Sequence, residues 1–279
     1  MSAGGAVGPG RDRRRDRVVP SAALAWLLAA CANVPASGDG GRADSGPSPD
    51  AGRPVIVKDA AAPDAGRPIA DGGRPDAGFD GEPPVINEFV ADHAGSDLCE
   101  FVEIVGAPAT DYSAFNILVV EGDVGANPGL VDVAITVGST DDAGIVATPA
   151  LEGLMENGAM TLLVVTGYAG GTVDIDVDDD GAIDEPAPWT FLADAVAVSD
   201  GGAGDLHYAG GSLLAPSFDG VMFAVGGASR IPDGADTDAP LDWARNDFDG
   251  EGLGCGTGSP VPGEALNTPG TPNRPALGQ

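Results

Sequence analysis

Between residues 174 and 185 the chain reads Asp-Ile-Asp-Val-Asp-Asp-Asp-Gly-Ala-Ile-Asp-Glu. Asp176, Asp178 and Asp180 stand at every second position, and Gly181 follows at once. Alternate aspartates in a tight loop can turn their carboxylates toward one point, and calcium asks for about six to eight hard oxygens. The glycine permits the sharp turn that such a loop needs. Ala182 would add a backbone carbonyl, and Asp184 or Glu185 a further carboxylate. Ile183 supplies an apolar side chain to pin the loop to a core. The expected cofactor is therefore calcium, held by Asp176, Asp178, Asp180, Ala182, Asp184 and Glu185. A solvated acidic loop without an ion is the alternative. Asp247-Phe248-Asp249-Gly250 offers only two spaced acids and is the weaker pattern.

The twelfth position of the loop, where an EF-hand carries its bidentate glutamate, is Ala187. Pro186 and Pro188 flank it, and no helical pattern stands on either side. The loop is therefore no EF-hand and looks more like the calcium loops of secreted repeat proteins.

Three cysteines are present. Cys99 and Cys255 make an even pair which, in an exported protein, can form a disulfide; two separate thiols are the alternative. His93 and His207 are the only histidines, and each reads as a residue of a surface loop or hydrogen-bonded turn. Nucleophile elbows, H-E-x-x-H helices, P-loops and Cys-His catalytic signatures are missing. Glu88, Glu100 and Glu103 sit among apolar residues and could be taken for catalytic carboxylates. In a chain this acidic they read instead as acceptors of backbone hydrogen bonds or as residues on solvent faces. No catalytic residue is assigned, and the chain reads as a non-enzyme.

The formal net charge is −30. A surface so negative repels phosphate backbones, whose binding draws on Lys and Arg, so nucleic acid is not an expected partner. Removing the five arginines and two aspartates that precede Cys31 takes the balance to −33. Those arginines lead into the apolar run at 22–30, the order of a secretory signal over residues 1–30. The run ends in Leu28-Ala29-Ala30-Cys31, which resembles the bacterial lipoprotein box. That resemblance implies acylation of Cys31 and a lipid anchor that holds an exported protein at the bacterial cell envelope, the outer membrane or cell surface before the inner membrane. Residues 31–83 follow as a Pro/Gly/Ala/Asp-rich tether with a recurring P-D-A-G-R-P unit at 49–54 and 63–68. So few large apolar residues cannot offset ordering entropy, so the tether reads as disordered.

The elements that must position the acidic loop begin at residue 84. Gly (44) and Pro (24) are abundant and aromatic content is 5%, a composition suited to turn-rich β structure. Val-Ile-Asn-Glu-Phe-Val at 85–90 and Cys-Glu-Phe-Val-Glu-Ile-Val at 99–105 read as consecutive strands. The run from Asp111 to Leu118 leads into a strand at Val119-Val120-Glu121, and further strands are expected near 131–137, 160–166, 191–198 and 221–225, with no helix of sustained period. Ile86-Asn87-Glu88 followed by Glu100-Phe101-Val102-Glu103-Ile104 resembles the opening of the lamin tail domain family. Phe115 stands where that family carries Trp. Arg230-Ile231-Pro232-Asp233-Gly234 and Thr268-Pro269-Gly270-Thr271-Pro272-Asn273 are similar to its closing segments. The resemblance implies an all-β, immunoglobulin-like sandwich over 84–274, with a long insertion at about 122–188 and a short tail at 275–279.

Together these readings describe a lipid-anchored, non-catalytic module. Its partners would be the membrane, through the anchor, and a protein or glycan ligand bound by loops of a rigid sandwich. The alternative is an accessory subunit of a secreted metal-dependent hydrolase of nuclease or phosphatase type, or a cryptic one.

Overall fold

The computed structural model describes residues 81–276, apart from 257 and 260. The expected signal segment, the expected anchor at Cys31 and the expected tether up to residue 80 lie outside the described residues. The strands are β1 (Val85–Val90), β2 (Phe101–Val105), β3 (Phe115–Glu121), β4 (Val131–Thr136) and β5 (Ile145–Ala147). They continue as β6 (Met160–Thr166), β7 (Phe191–Val198), β8 (Ser212–Leu214), β9 (Gly227–Arg230) and β10 (Trp243–Arg245). One short 3-10 turn, Pro240–Asp242, precedes β10, and the described residues hold no α-helix.

Two five-stranded sheets result, ordered β10-β9-β1-β2-β5 and β4-β3-β6-β7-β8. Every pairing is antiparallel except β7 with β8. The all-β, two-sheet expectation holds. Side chains alternate across a strand, so each sheet sends every second residue inward. Ile86, Phe89, Val102 and Ile104 from the first sheet meet Phe115, Ile117, Leu162, Val164 and Val196 from the second. Each such side chain, fully buried, stabilises the fold by about 1.5–3 kcal/mol relative to exposure.

The second sheet is apolar on its other face as well. Leu118, Val120, Leu163, Val165 and Ala195 point outward into a separate apolar layer with Ile175 and Tyr208. Tyr168, Val173, Ile183, Trp189 and Leu206 pack against that layer from the segments that cover it. This is why Met-Thr-Leu-Leu-Val-Val-Thr at 160–166 is a continuous run rather than an alternating one: both of its faces are buried.

A buried ion pair joins the sheets. The β1–β9 ladder ends at Glu88, which leaves the Ile86 backbone beyond it. The Ile86 N–H donates to Asp194 Oδ2 of β7 at 2.7 Å, and Arg230 Nε of β9 donates to the Ile86 carbonyl at 2.7 Å. The Arg230 guanidinium also reaches Asp194 at 3.2 Å, Asp236 at 2.7 Å and the Ala235 carbonyl, and stacks 4.6 Å from the Trp243 ring. Its side chain is 0% exposed, so its charge persists there only because these acceptors surround it.

One strand expectation is corrected. Residues 221–225 form no strand: Met222 and Phe223 are 75% and 74% exposed, and β9 begins at Gly227. β9 comes close to β1 where it begins, since a Cβ on Gly227 would lie 2.6 Å from the Phe89 carbonyl oxygen. Only a residue without a side chain lets the strand approach β1 there. Residues 122–188 supply β4 and β6 to the second sheet and β5 to the first, and their longest stretch outside the strands follows Thr166.

Candidate metal centre

The acidic loop hangs from the start of β4. Asp174 bridges to Leu130, and the Ile175 N–H donates to the Gly129 carbonyl at 2.8 Å. The Asp184 N–H donates back to the Ile175 carbonyl at 2.7 Å and closes the neck. Ile175, buried, and Ile183, half-buried, flank the acids and fasten the loop to the outer apolar layer. Ile183 therefore packs against the apolar layer as such a loop requires. Gly181 turns at φ 84, and Asp179 also adopts a positive φ of 54, a conformation that Asp tolerates better than most side chains.

Asp176 is the buried centre of this turn. Its Oδ1 accepts the Asp180 N–H at 3.0 Å, and its Oδ2 accepts the Gly181 N–H at 2.8 Å and the Tyr208 hydroxyl at 3.2 Å. Burial, then the Asp176 charge, pushes the Tyr208 phenol up, so it remains a donor. Carboxylate oxygens of Asp176, Asp178 and Asp180 gather within 4.8 Å of one another, with Asp178 and Asp180 exposed. Asp180, first, and then burial, Asp184 and Asp176 hold the Asp178 carboxyl above its ordinary range. Like charges so arranged favour a proton or a cation among them. The other three expected ligands are placed differently. Asp184 Oδ2 accepts the Val177 N–H at 3.0 Å, Glu185 Oε2 accepts the Ala187 N–H at 3.3 Å, and the Ala182 N–H is turned to Asp180 Oδ1 at 2.8 Å.

Two more acid groupings occur among the described residues. Asp194, Asp236 and Asp238 converge, but Arg230 supplies the positive charge on Asp194 and Asp236. Glu121, Asp132 and Glu156 converge from three separate segments. Burial raises all three carboxyls, and their neighbours raise Glu121 and Glu156 further. Asp247-Phe248-Asp249-Gly250 is not among the groups of three converging acids found in the described residues. Asp247 is buried, and its carboxylate caps the Glu251 N–H at 3.4 Å and the Val261 N–H at 3.0 Å.

Glu88, Glu100 and Glu103 are fully buried, so none lies on a solvent face. Glu88 and Glu103 are register partners on the outer face of the first sheet, and the chain's last described segment seals them. Glu88 accepts Asn246 Nδ2 at 2.8 Å, the Thr268 N–H at 2.9 Å and the Thr268 hydroxyl at 3.0 Å. Glu103 accepts Asn87 Nδ2 at 2.9 Å and the Gly270 N–H at 2.7 Å. Asn273 donates its N–H to Asp233 and its Nδ2 to the Asn87 and Arg230 carbonyls. Burial pushes Glu88 up to about 7 and Glu103 up to about 8. Burial likewise raises Asp194 to about 7 against the opposing pull of Arg230. Glu100 Oε2 accepts the Leu154 and Met155 N–H groups at 2.7 and 3.1 Å.

Cys99 and Cys255 are joined by a disulfide with Cα atoms 6.1 Å apart. His93 is buried beside it, not on a surface loop. His207 is half-buried, and its Nδ1 has no hydrogen-bond partner. Sequence reasoning missed Tyr208, Asp194 and Arg230. A lone aspartate inside Phe-Leu-Ala-Asp-Ala-Val-Ala-Val was the available signal for Asp194, because an acid on a buried strand requires a partner. The fold and site thus define a two-sheet β-sandwich with one exposed acid loop whose oxygens converge. No protein-family model, curated protein or solved structure matches the chain.

Proposed function

We propose that the chain is an exported bacterial lipoprotein, anchored at the cell envelope through Cys31, whose 84–274 region is a lamin-tail-like, immunoglobulin-like sandwich acting as a non-catalytic binding module. Calcium at the Asp176–Asp180 turn steadies it, and a protein or glycan is its ligand. The lamin-tail reading is supported by where its motif residues meet: Asn87, Glu88, Glu103, Arg230, Asp233, Thr268, Gly270 and Asn273 are linked in one hydrogen-bonded network. These residues lie far apart in sequence and hold the two ends of the domain together.

The single observation that carries the binding reading is the loop at 216–226. Its tip presents the exposed pair Met222 and Phe223. Arg245 grips its base: Nε and Nη2 donate to both oxygens of Asp219 at 2.8 and 3.1 Å, Nη1 donates to the Ala224 carbonyl at 2.7 Å, and the guanidinium stacks 5.3 Å from Phe218. Phe248, 45% exposed, lies against Gly226 at the same place. A preorganised apolar tip loses little freedom on binding, which favours recognition.

The test passes the full chain and a Met222→Ser/Phe223→Ser variant over immobilised glycans and isolated envelope fractions, beside turnover assays on phosphodiester, phosphomonoester and glycoside substrates. Saturable binding weakened about tenfold or more in the variant, with no turnover, is the expected result. Turnover that disappears in Asp178→Ala/Asp180→Ala would replace the binding reading with a metal-dependent hydrolase.

A further inference from the structure

The Cys99–Cys255 bridge has an asymmetric setting. Cys255 is exposed, while Cys99 is half-buried against Val90, Phe101 and Leu253. His93 is only 4% exposed, and its Nε2 lies 3.7 Å from Cys255 Sγ. The other ring nitrogen, Nδ1, stands 3.3 Å from the Ala94 carbonyl oxygen, and Nε2 is 3.4 Å from the Cys99 N–H. A proton on Nδ1 suits the carbonyl and leaves the Nε2 lone pair facing the N–H and the sulfur. An exposed cysteine, a half-buried second one and an imidazole nitrogen 3.7 Å from the sulfur of the exposed one are the parts that thiol–disulfide exchange needs.

We propose that Cys255, Cys99 and His93 form a thiol–disulfide exchange site that oxidises a dithiol peptide. One substrate thiol releases its proton to solvent and its thiolate attacks Cys255 Sγ; the Cys99–Cys255 bond breaks, its electron pair leaves on Cys99 Sγ, and the Cys99 thiolate takes up a proton from solvent. The second substrate thiol gives its proton to His93 Nε2 and attacks the substrate sulfur held on Cys255. The mixed disulfide breaks, the electron pair leaves on Cys255 Sγ, and His93 returns the proton to it. The substrate loses two electrons and two protons, and the protein's disulfide becomes two thiols. His93 is the base and acid of this stoichiometric exchange, Cys255 the attacked sulfur, and Cys99 the leaving sulfur that re-forms the bond in the reverse direction.

The experiment uses the full chain and reads the Cys99 and Cys255 peptides separately by mass spectrometry, so Cys31 does not enter. Three measurements are made: exchange of the oxidised chain with a two-cysteine peptide, iodoacetamide alkylation of the reduced chain from pH 5.5 to 8, and mixed-disulfide capture by Cys99→Ser offered the peptide in its disulfide form. The expected results are alkylation at Cys255 about tenfold faster than at Cys99 near pH 6, and a mixed disulfide trapped on Cys255 in Cys99→Ser. His93→Gln, which keeps an acceptor for the Cys99 N–H but supplies no base, should slow both reactions about tenfold with an unchanged circular dichroism spectrum. Should that variant misfold, the wild-type pH profile decides alone. Equal pH profiles at the two cysteines, or a bridge inert to the peptide, would overturn the proposal.

Discussion

The two outer faces of the sandwich are closed in opposite ways. Over the first sheet, the segment from Asn246 to Asn273 lays amides and hydroxyls on Glu88 and Glu103, and those carboxylate oxygens are occupied by donors. Over the second sheet, the segment from 168 to 192 and residues 206–209 lay apolar side chains on Leu118, Leu163 and Val165. In that covering segment Asp176 is buried, whereas Asp178 and Asp180 are exposed at the rim with their carboxylates close to its own. Acid number therefore says little about chemistry in this protein. Whether the fold's own donors already occupy a carboxylate separates structural acids from available ones.

Removing Arg230 should break the comparison at its most structural point. Arg230→Met leaves Asp194 buried without its countercharge, and breaking a buried pair costs about 3–5 kcal/mol. Chemical denaturation should show that loss, whereas a double Arg230→Met/Asp194→Leu variant should recover part of it. Recovery of nothing would mean that the other guanidinium contacts, not the Asp194 pair, carry the effect.

The sealed face should also give stability a pH slope. In the fold Glu88 and Glu103 keep their protons up to about 7 and about 8, whereas the ordinary value is 4.5. Between those limits the folded state binds more protons than the unfolded chain, so stability falls as pH rises from about 5 to about 8. The change should be on the order of a few kcal/mol, and Glu103→Gln should flatten the slope. A flat profile in the parent would place both carboxyls in their ordinary range. Thr268→Val removes one hydroxyl donor from Glu88 and should cost about 1–2 kcal/mol in the same assay.

The smallest effect should come from the covered apolar side. Tyr208→Phe deletes the hydroxyl that bonds Asp176 but keeps the ring, and about 1 kcal/mol of loss is expected. A much larger loss would mean that Tyr208 holds the loop's shape.

Legibility followed the same division. β1, β2, β6 and β7 announce themselves as runs of Val, Ile, Leu and Phe, because burial on one or both faces demands apolar side chains. β9 reads Gly-Ala-Ser-Arg and is silent by that criterion, since its place beside β1 depends on small size and on Arg230. Met222 and Phe223 mislead for the opposite reason, being apolar but exposed. The Asp176–Asp178–Asp180 alternation is local and could be read directly. Glu88 with Thr268 joins positions 180 residues apart, and only the folded chain brings such donors and acceptors together. The Tyr208 contact to Asp176 is non-local in the same way.

Whether the exposed acids hold a cation is tested most directly by a thermal melt of the full chain in calcium and in EDTA, beside Asp178→Ala/Asp180→Ala. These two residues are exposed and Asp176 is left intact, so the buried hydrogen bonds of the turn remain. An ion that binds only the folded state raises the midpoint by mass action. The expected result is a calcium-dependent rise that the double variant loses. Matching melts in both conditions and both chains would contradict it and leave the loop a solvated acidic turn.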